Sequence, residues 1–195
     1  MLIFDYRGSG RSDGNPNLEN TYKDALAILT KANKRSRKNG ISVFILAQSP
    51  GGAIVLRAIV DSEAHSNVAL IIADSTFPSY RDLVERKARD LTFFQLSTLI
   101  SLFFSNRKSP KETLSRIAPA PVLDMHSTDD PVVDFEHGQD LFDSLDSPRE
   151  LYRIQVYGHL GWSNMGKSDR DQTILSYMTH ARRAFSEPSP FPGEE

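Results

Sequence analysis

Three residues have the types that acyl-transfer chemistry needs: Ser49, Asp130 and His159. A serine hydroxyl is a poor nucleophile until a base takes its proton. A histidine can take that proton near neutral pH and return it to the leaving group. A carboxylate fixes the imidazole tautomer and stabilises the imidazolium. Ser49 sits in Ala47-Gln48-Ser49-Pro50-Gly51-Gly52, with a small residue two positions away on each side. The run Val43-Phe44-Ile45-Leu46 before it has the length and composition of a strand. After it, Ile54, Val55, Ala58 and Ile59 recur at helical spacing. The stretch therefore reads as strand, sharp turn and helix with the serine at the tip, a geometry that strains the backbone and exposes the hydroxyl. Taken alone it also fits an ordinary glycine-containing loop with an incidental serine. The order of the later residues adds the weight.

The elements that must position these residues follow from hydrophobic periodicity. Leu2-Ile3-Phe4 reads as a strand, followed by a glycine-rich loop from Asp5 to Pro16. That loop has neither the G-K-[ST] ending of a phosphate cradle nor the third glycine of a dinucleotide motif. Glu19 to Asn39 reads as a helix with Tyr22, Ala25, Leu26 and Leu29 on its apolar side. Five cations near its end, followed by Gly40, suit a solvated helix C-terminus. Val68 to Ala73 is a fully apolar strand, of the kind covered on both faces. Pro121 to His126 is a strand, Phe135 to Leu145 a helix, Leu151 to Val156 a strand and Asp169 to Phe185 a closing helix. This alternation predicts an α/β fold, a mostly parallel sheet with helices on both faces. Ser49, Asp130 and His159 then lie in loops after three different strands, and in a parallel sheet such loops share one edge.

The alternation pauses between Asp74 and Pro119. Tyr80, Leu83 and Val84 begin an amphipathic helix, and Phe93 to Phe104 forms a strongly apolar segment. Residues 74–119 are expected to be a helical insertion, packed on the sheet or capping an apolar substrate. Residues 1–185 are expected to form a single domain, and the Pro-rich acidic stretch 186–195 a disordered tail.

Composition excludes several classes. The chain has 195 residues and no cysteine, so disulfides, thiolate metal sites and a cysteine nucleophile are ruled out. A formal net charge of −2 gives no reason to expect nucleic acid as a partner. The apolar stretch Leu91 to Phe104 is too short to span a bilayer, and the first residues lack the pattern of a signal peptide. A cytoplasmic location is the default expectation. No metal or cofactor is implied.

At this point the chain resembles the α/β-hydrolases, in particular the serine-aminopeptidase-like, lysophospholipase-like group. Asp5-Tyr6-Arg7-Gly8-x-Gly10-x-Ser12 is similar to that group's loop after an early strand. Ala47-Gln48-Ser49-Pro50-Gly51-Gly52 resembles its nucleophile turn, with Ala in place of the first glycine of G-x-S-x-G. Pro121 to Val133 resembles its acid loop, with Ser127 where relatives have glycine, and Gly158-His159 its histidine loop. The chain order serine, aspartate, histidine is that of the group's triad. The resemblance implies a serine hydrolase acting on a small-molecule ester, thioester or amide. Asp129 and Asp74 are alternatives for the acid. His126 matches a structural position, His65, His137 and His180 fall on predicted helices, and Trp162 is a candidate pocket or packing residue.

Two features depart from the family pattern. The strand matched by Leu2-Ile3-Phe4 follows about three others in relatives, one of which lies beside the serine strand and is followed by a loop carrying an oxyanion donor. The expectation is an N-terminally truncated fold, a fragment or short form of a longer hydrolase, whose open sheet edge favours self-association. The second is Pro50, which has no N–H to offer where the other donor normally stands. Gly51 is the remaining, weaker candidate. A non-catalytic protein that binds an apolar ligand or a protein partner is therefore the alternative reading.

Overall fold

The computed structural model describes residues 1–62, 64–91, 106–155 and 157–184. Helix α1 (Leu18–Asn39) starts where the Asn17 side chain accepts the Asn20 N–H at 2.8 Å. It stops at Gly40, whose left-handed backbone (φ 61°) returns its N–H to the Ser36 carbonyl. Tyr22, Ala25 and Leu29 form its buried stripe. Strand β1 (Val43–Gln48) leads through Ser49 into α2 (Pro50–Asp61). Strand β2 (Val68–Asp74) follows, with all of its residues buried, as its unbroken apolar run requires. Helix α3 (Tyr80–Leu91), strand β3 (Val122–Ser127), helix α4 (Phe135–Asp143) and strand β4 (Arg149–Ile154) come next. The one-turn helix α5 (Gly161–Asn164) and helix α6 (Lys167–Ala184) complete the described chain.

The four strands form one parallel sheet in the order β1-β2-β3-β4. Crossovers of one hand between sequential neighbours place their helices on one face. That face carries the larger core, where α1, α2 and α4 bury Leu29, Leu56, Ile59 and Leu141 against Ile71 and Val122. The opposite face carries Leu70, Ile72, Leu123 and Met125, covered by Tyr177 and Ala181 of α6. The expected α/β architecture with helices on both faces is thus the one observed.

Two boundaries differ from expectation. Leu2–Phe4 does not form a strand, and no sheet pairing includes it. Leu2 and Ile3 are 44% and 76% exposed, and a short apolar run without a hydrogen-bonded neighbour has nothing to hold it extended. Among the described residues β1 is accordingly an edge strand, with Leu46 exposed. Strand β4 begins at Arg149, earlier than the apolar pattern suggests, because Arg149 pairs with Val122. Its charged residues are tolerated because, among the described residues, it forms the other edge. Within the expected insertion α3 is present, and a 3₁₀ turn at Lys111–Ile117 buries Leu114 and Ile117 in the larger core. The apolar segment 93–104 and the tail 186–195 lie outside the described residues. Among the described residues no helix is long and apolar enough to cross a membrane.

His137 is the clearest acid-sensitive point of the core. It is fully buried on α4, and both ring nitrogens lack a hydrogen-bond partner. Burial is the main cause that pulls its pKa down to about 4. The unfolded chain takes up the proton near the ordinary histidine value of about 6.5, so the folded state loses up to about 3 kcal/mol between that pH and about 4. We expect His137→Leu to remove this part of the loss. Denaturant unfolding at pH 7 and pH 4.5 measures it, and the stability difference between the two pH values should be smaller in the variant than in the parent.

Candidate active site

Ser49 is built by a backbone that few residues adopt, with φ 51° and ψ −129° at the junction of β1 and α2. Such a conformation costs about 1–3 kcal/mol and persists only where the surroundings enforce it. Three contacts enforce it here. The Ser49 N–H donates to the Asp74 carbonyl at 2.8 Å, and the Thr76 hydroxyl donates to the Ser49 carbonyl at 2.8 Å. Gly52 lets α2 approach: a Cβ at that position would lie 2.5 Å from Thr76 Oγ1. Pro50 opens the helix, where its fixed φ suits the first position and no intrahelical bond is lost.

Asp130 lies in the turn after β3 with its side chain fully buried. Its Oδ1 accepts the N–H groups of Val132 and Val133, both at 2.9 Å. Burial pushes its acid pKa up, but the Val133 N–H, the His159 imidazole and the Val132 N–H together hold it below the usual carboxylate range. His126 supports the same turn from below. It is fully buried, and its Nε2 lies 2.8 Å from the Val133 carbonyl, the contact that a donating Nε2–H makes. Its other ring nitrogen has no partner, and burial lowers its pKa.

His159 follows β4 in a loop pinned from several sides. Asp129 Oδ1 accepts the N–H groups of Tyr157 and Gly158, both at 3.0 Å, and the Ser127 hydroxyl at 2.5 Å. Asn164 Nδ2 donates to the carbonyls of Tyr157 and His159. The Leu160 N–H donates to Ser75 Oγ at 3.1 Å. The imidazole is thereby aimed: Nδ1 lies 2.8 Å from Asp130 Oδ2, and Nε2 lies 3.1 Å from Ser49 Oγ. Its side chain is 22% exposed, enough to be reached from solvent.

The other residues weighed from sequence take different places. Asp129 is adjacent to Asp130 but points back into the histidine loop. Asp74, at the end of β2, bonds Gln48 Nε2 at 2.8 Å. His65, His137 and His180 lie in the 3₁₀ turn 64–67, in α4 and in α6, outside the loops that carry the three residues. Trp162 packs in the smaller core with the Arg170 guanidinium over its ring. The loop after Leu2–Phe4 is tied to α1 by Arg7 and Asp24, and its Gly10 (φ 57°) leaves room that a Cβ would fill against the Asp5 carboxylate. Among the described residues no group of three ligating side chains could hold a metal. The supports given by Ser75 and Asn164 carry no mark in the sequence. Only Gln48 and Asp74, each ending an apolar strand, stood where such a signal could be read.

A model of the serine aminopeptidase S33 family matches residues 1–116, well over half of the chain. The chain belongs to this family. Among its curated relatives, the uncharacterized protein YfhR of Escherichia coli K12 is 26% identical over 160 residues, covering 82% of this chain and 53% of that protein. The human alpha/beta hydrolase domain-containing protein 17B is 29% identical over 159 residues, covering 82% of this chain and 50% of that protein. The chain therefore spans about half the length of the curated relatives it matches. Among solved structures, a lipase-esterase related protein from Clostridium acetobutylicum superposes with a TM-score of 0.63 at 16% identity, over 88% of this chain and 81% of that one. An esterase from Exiguobacterium antarcticum gives 0.57 at 19% identity, over 91% and 80%. These likenesses show the α/β-hydrolase fold. Family membership and these likenesses place the chain among the α/β-hydrolases.

The turn makes opposite predictions for adjacent glycines. Gly52→Ala should destabilise the fold by about 1–3 kcal/mol, because the new methyl meets a buried, branched threonine. Gly51→Ala meets nothing within 4 Å and should be neutral or stabilising by up to about 1 kcal/mol. Urea unfolding of the two variants checks both signs.

Proposed function

We propose that this protein is a serine hydrolase that cleaves a small-molecule ester, thioester or amide through an acyl-enzyme. The observation that carries the proposal is the continuous contact from Asp130 Oδ2 through His159 to Ser49 Oγ, 2.8 Å and 3.1 Å long. The Ser49 oxygen adds to the substrate carbonyl while its proton passes to His159 Nε2. The imidazolium gives that proton to the leaving group as the carbonyl–leaving-group bond breaks, and the acyl group remains on Ser49. Water then adds to the acyl carbon, its proton passes through the same nitrogen, and Ser49 is regenerated as the acid product departs. Asp130, held ionised by its three hydrogen-bonding partners, keeps Nδ1 protonated and Nε2 free to accept. The esterase and the lipase-esterase related protein among the structural neighbours make simple esters the first substrates to test.

The tetrahedral oxyanion is the weak point of this site. Pro50 has no N–H, so the first donor within α2 is Gly51, whose N–H lies in the helix's opening turn and has no preceding helical carbonyl to bond. Losing one oxyanion donor costs about 10²–10³-fold in turnover. Pro50 is also what favours the second reading, a non-catalytic pocket. Turnover that depends on Ser49 removes that reading.

The test compares the parent with Ser49→Ala and Pro50→Leu by fluorophosphonate labelling and by hydrolysis of a p-nitrophenyl ester. We expect labelling of the parent at Ser49, slow hydrolysis, and at least a tenfold gain in Pro50→Leu if no other group already holds the oxyanion. Absence of labelling in folded parent protein would count against the serine-hydrolase reading. A separate comparison addresses the acid. Asp130→Asn should lower hydrolysis far more than Asp129→Asn or Asp74→Asn, by up to about 10⁴-fold, because an amide favours the wrong imidazole tautomer. A larger loss in Asp74→Asn would move the acid to β2.

A further inference from the structure

Asp74 has no part in the steps above, yet its carboxyl group is fully buried beside them. It ends β2 in register with Gln48, the residue before Ser49. Its Oδ2 accepts from Gln48 Nε2 at 2.8 Å, and the same nitrogen lies 2.9 Å from Ser163 Oγ in α5, directly behind the His159 loop. The Asp74 carbonyl accepts the Ser49 N–H. The next residue, Ser75, accepts the Leu160 N–H on its hydroxyl oxygen. Among the described residues three non-glycine positions have positive φ: Ser49 at 51°, Ser75 at 50° and Leu160 at 57°. One chain of hydrogen bonds through Asp74 and Ser75 joins all three. Strained backbone is thus concentrated where the serine strand, β2 and the histidine loop meet.

The groups around this carboxyl are few. Gln48 of β1, Ser75, whose hydroxyl donates to Asp74 Oδ1, and Ser163 of α5 are neutral, and α6 presents Ile174, Tyr177 and Ala181 to this face of the sheet. Of the charged groups, His159 attracts the ionised carboxylate, while Asp130 repels it and Asp124 of β3 is itself pushed toward its neutral form by burial and by Asp74.

We propose that Asp74 is a positioning residue for His159. It holds the Gln48 carboxamide between the serine strand and the helix behind the histidine, and it gives the imidazolium a second negative charge at longer range than Asp130. The kinetic consequence rests on the serine-hydrolase reading, while the electrostatic one does not. Burial, opposed by Gln48, Ser75 and His159 and reinforced by Asp130, raises the Asp74 acid pKa to about 6. The second charge is therefore present above that pH and lost below it.

The test is an NMR titration of the His159 ring protons in the parent and in Asp74→Asn, with His159→Gln to assign the signal. Because Asp74 takes up its proton near pH 6, the parent's curve should depart from that of a single titrating group. Asp74→Asn keeps an acceptor for Gln48 but removes the charge, so its curve should have one step with a midpoint at lower pH. Stability gives a second readout of opposite sign to that of a merely structural residue. A buried acid with a raised pKa destabilises the charged fold, so Asp74→Asn should be at least as stable as the parent at pH 7.5. That advantage should close between pH about 6 and about 4. On an ester substrate kcat should fall roughly 3–10-fold with KM unchanged. A parent curve that a single titrating group describes overturns the proposal, even if the variant does not fold, and so does an unchanged midpoint in Asp74→Asn. A shifted midpoint in a protein that hydrolyses nothing would leave the positioning role in place and remove the hydrolase reading.

Discussion

The backbone at Ser49 is the constraint on which the rest of the site depends. A serine with φ 51° is unfavourable in isolation, and the fold holds it there by bonding its N–H to Asp74 at the end of β2 and its carbonyl to Thr76 just beyond that strand. That arrangement needs β1 and β2 in register up to Gln48 and Asp74, and it needs a glycine where α2 passes Thr76. The buried apolar strand β2 is therefore more than core. It is the surface against which the Ser49 turn is pressed. The parallel sheet then brings the loops after β3 and β4 to the same edge, and each loop has its own clamp: Val132 and Val133 on Asp130, and Asp129, Ser75 and Asn164 around His159. Little in the cluster is free to drift, which is what catalysis by preorganised groups requires.

Much of this was legible from sequence. Apolar runs of strand length, separated by helical periodicity, define β1, β2 and β3, and β2, covered on both faces, leaves an unbroken hydrophobic record. Val43 to Leu46 and the glycines after Ser49 locate the turn, since few other residues permit so close an approach of strand and helix. Leu2–Phe4 misled because apolarity records what a strand would bury and not whether a neighbour is there to pair with it. Strand β4 was misplaced for the converse reason: an edge strand tolerates Arg149 and Glu150, which a periodicity reading rejects. The choice between Asp129 and Asp130 could not be made from types alone. Adjacent residues in a turn point in different directions, and only geometry shows one carboxylate facing the imidazole and the other facing the loop backbone.

Pro50 separates what the scaffold holds from what it can do. It suits the start of α2 and leaves the Ser49 side chain free, so the contacts among Ser49, His159 and Asp130 form without penalty. The same residue withholds an N–H from the place where negative charge develops in acyl transfer. In the proposed mechanism nucleophile activation and oxyanion stabilisation are thus decoupled. A site of this kind can be reactive toward an electrophile that carries its own driving force and still be slow toward an ordinary ester.

The most direct measurement of the central claim is an acid-quenched intact-mass experiment with excess p-nitrophenyl acetate. If His159 activates Ser49 for covalent catalysis, the parent should gain the mass of one acetyl group, located at Ser49 by peptide mapping. That adduct should be missing from Ser49→Ala and strongly reduced in His159→Gln. A parent that hydrolyses the ester without an adduct at Ser49, or that acquires the same adduct in His159→Gln, would contradict the account.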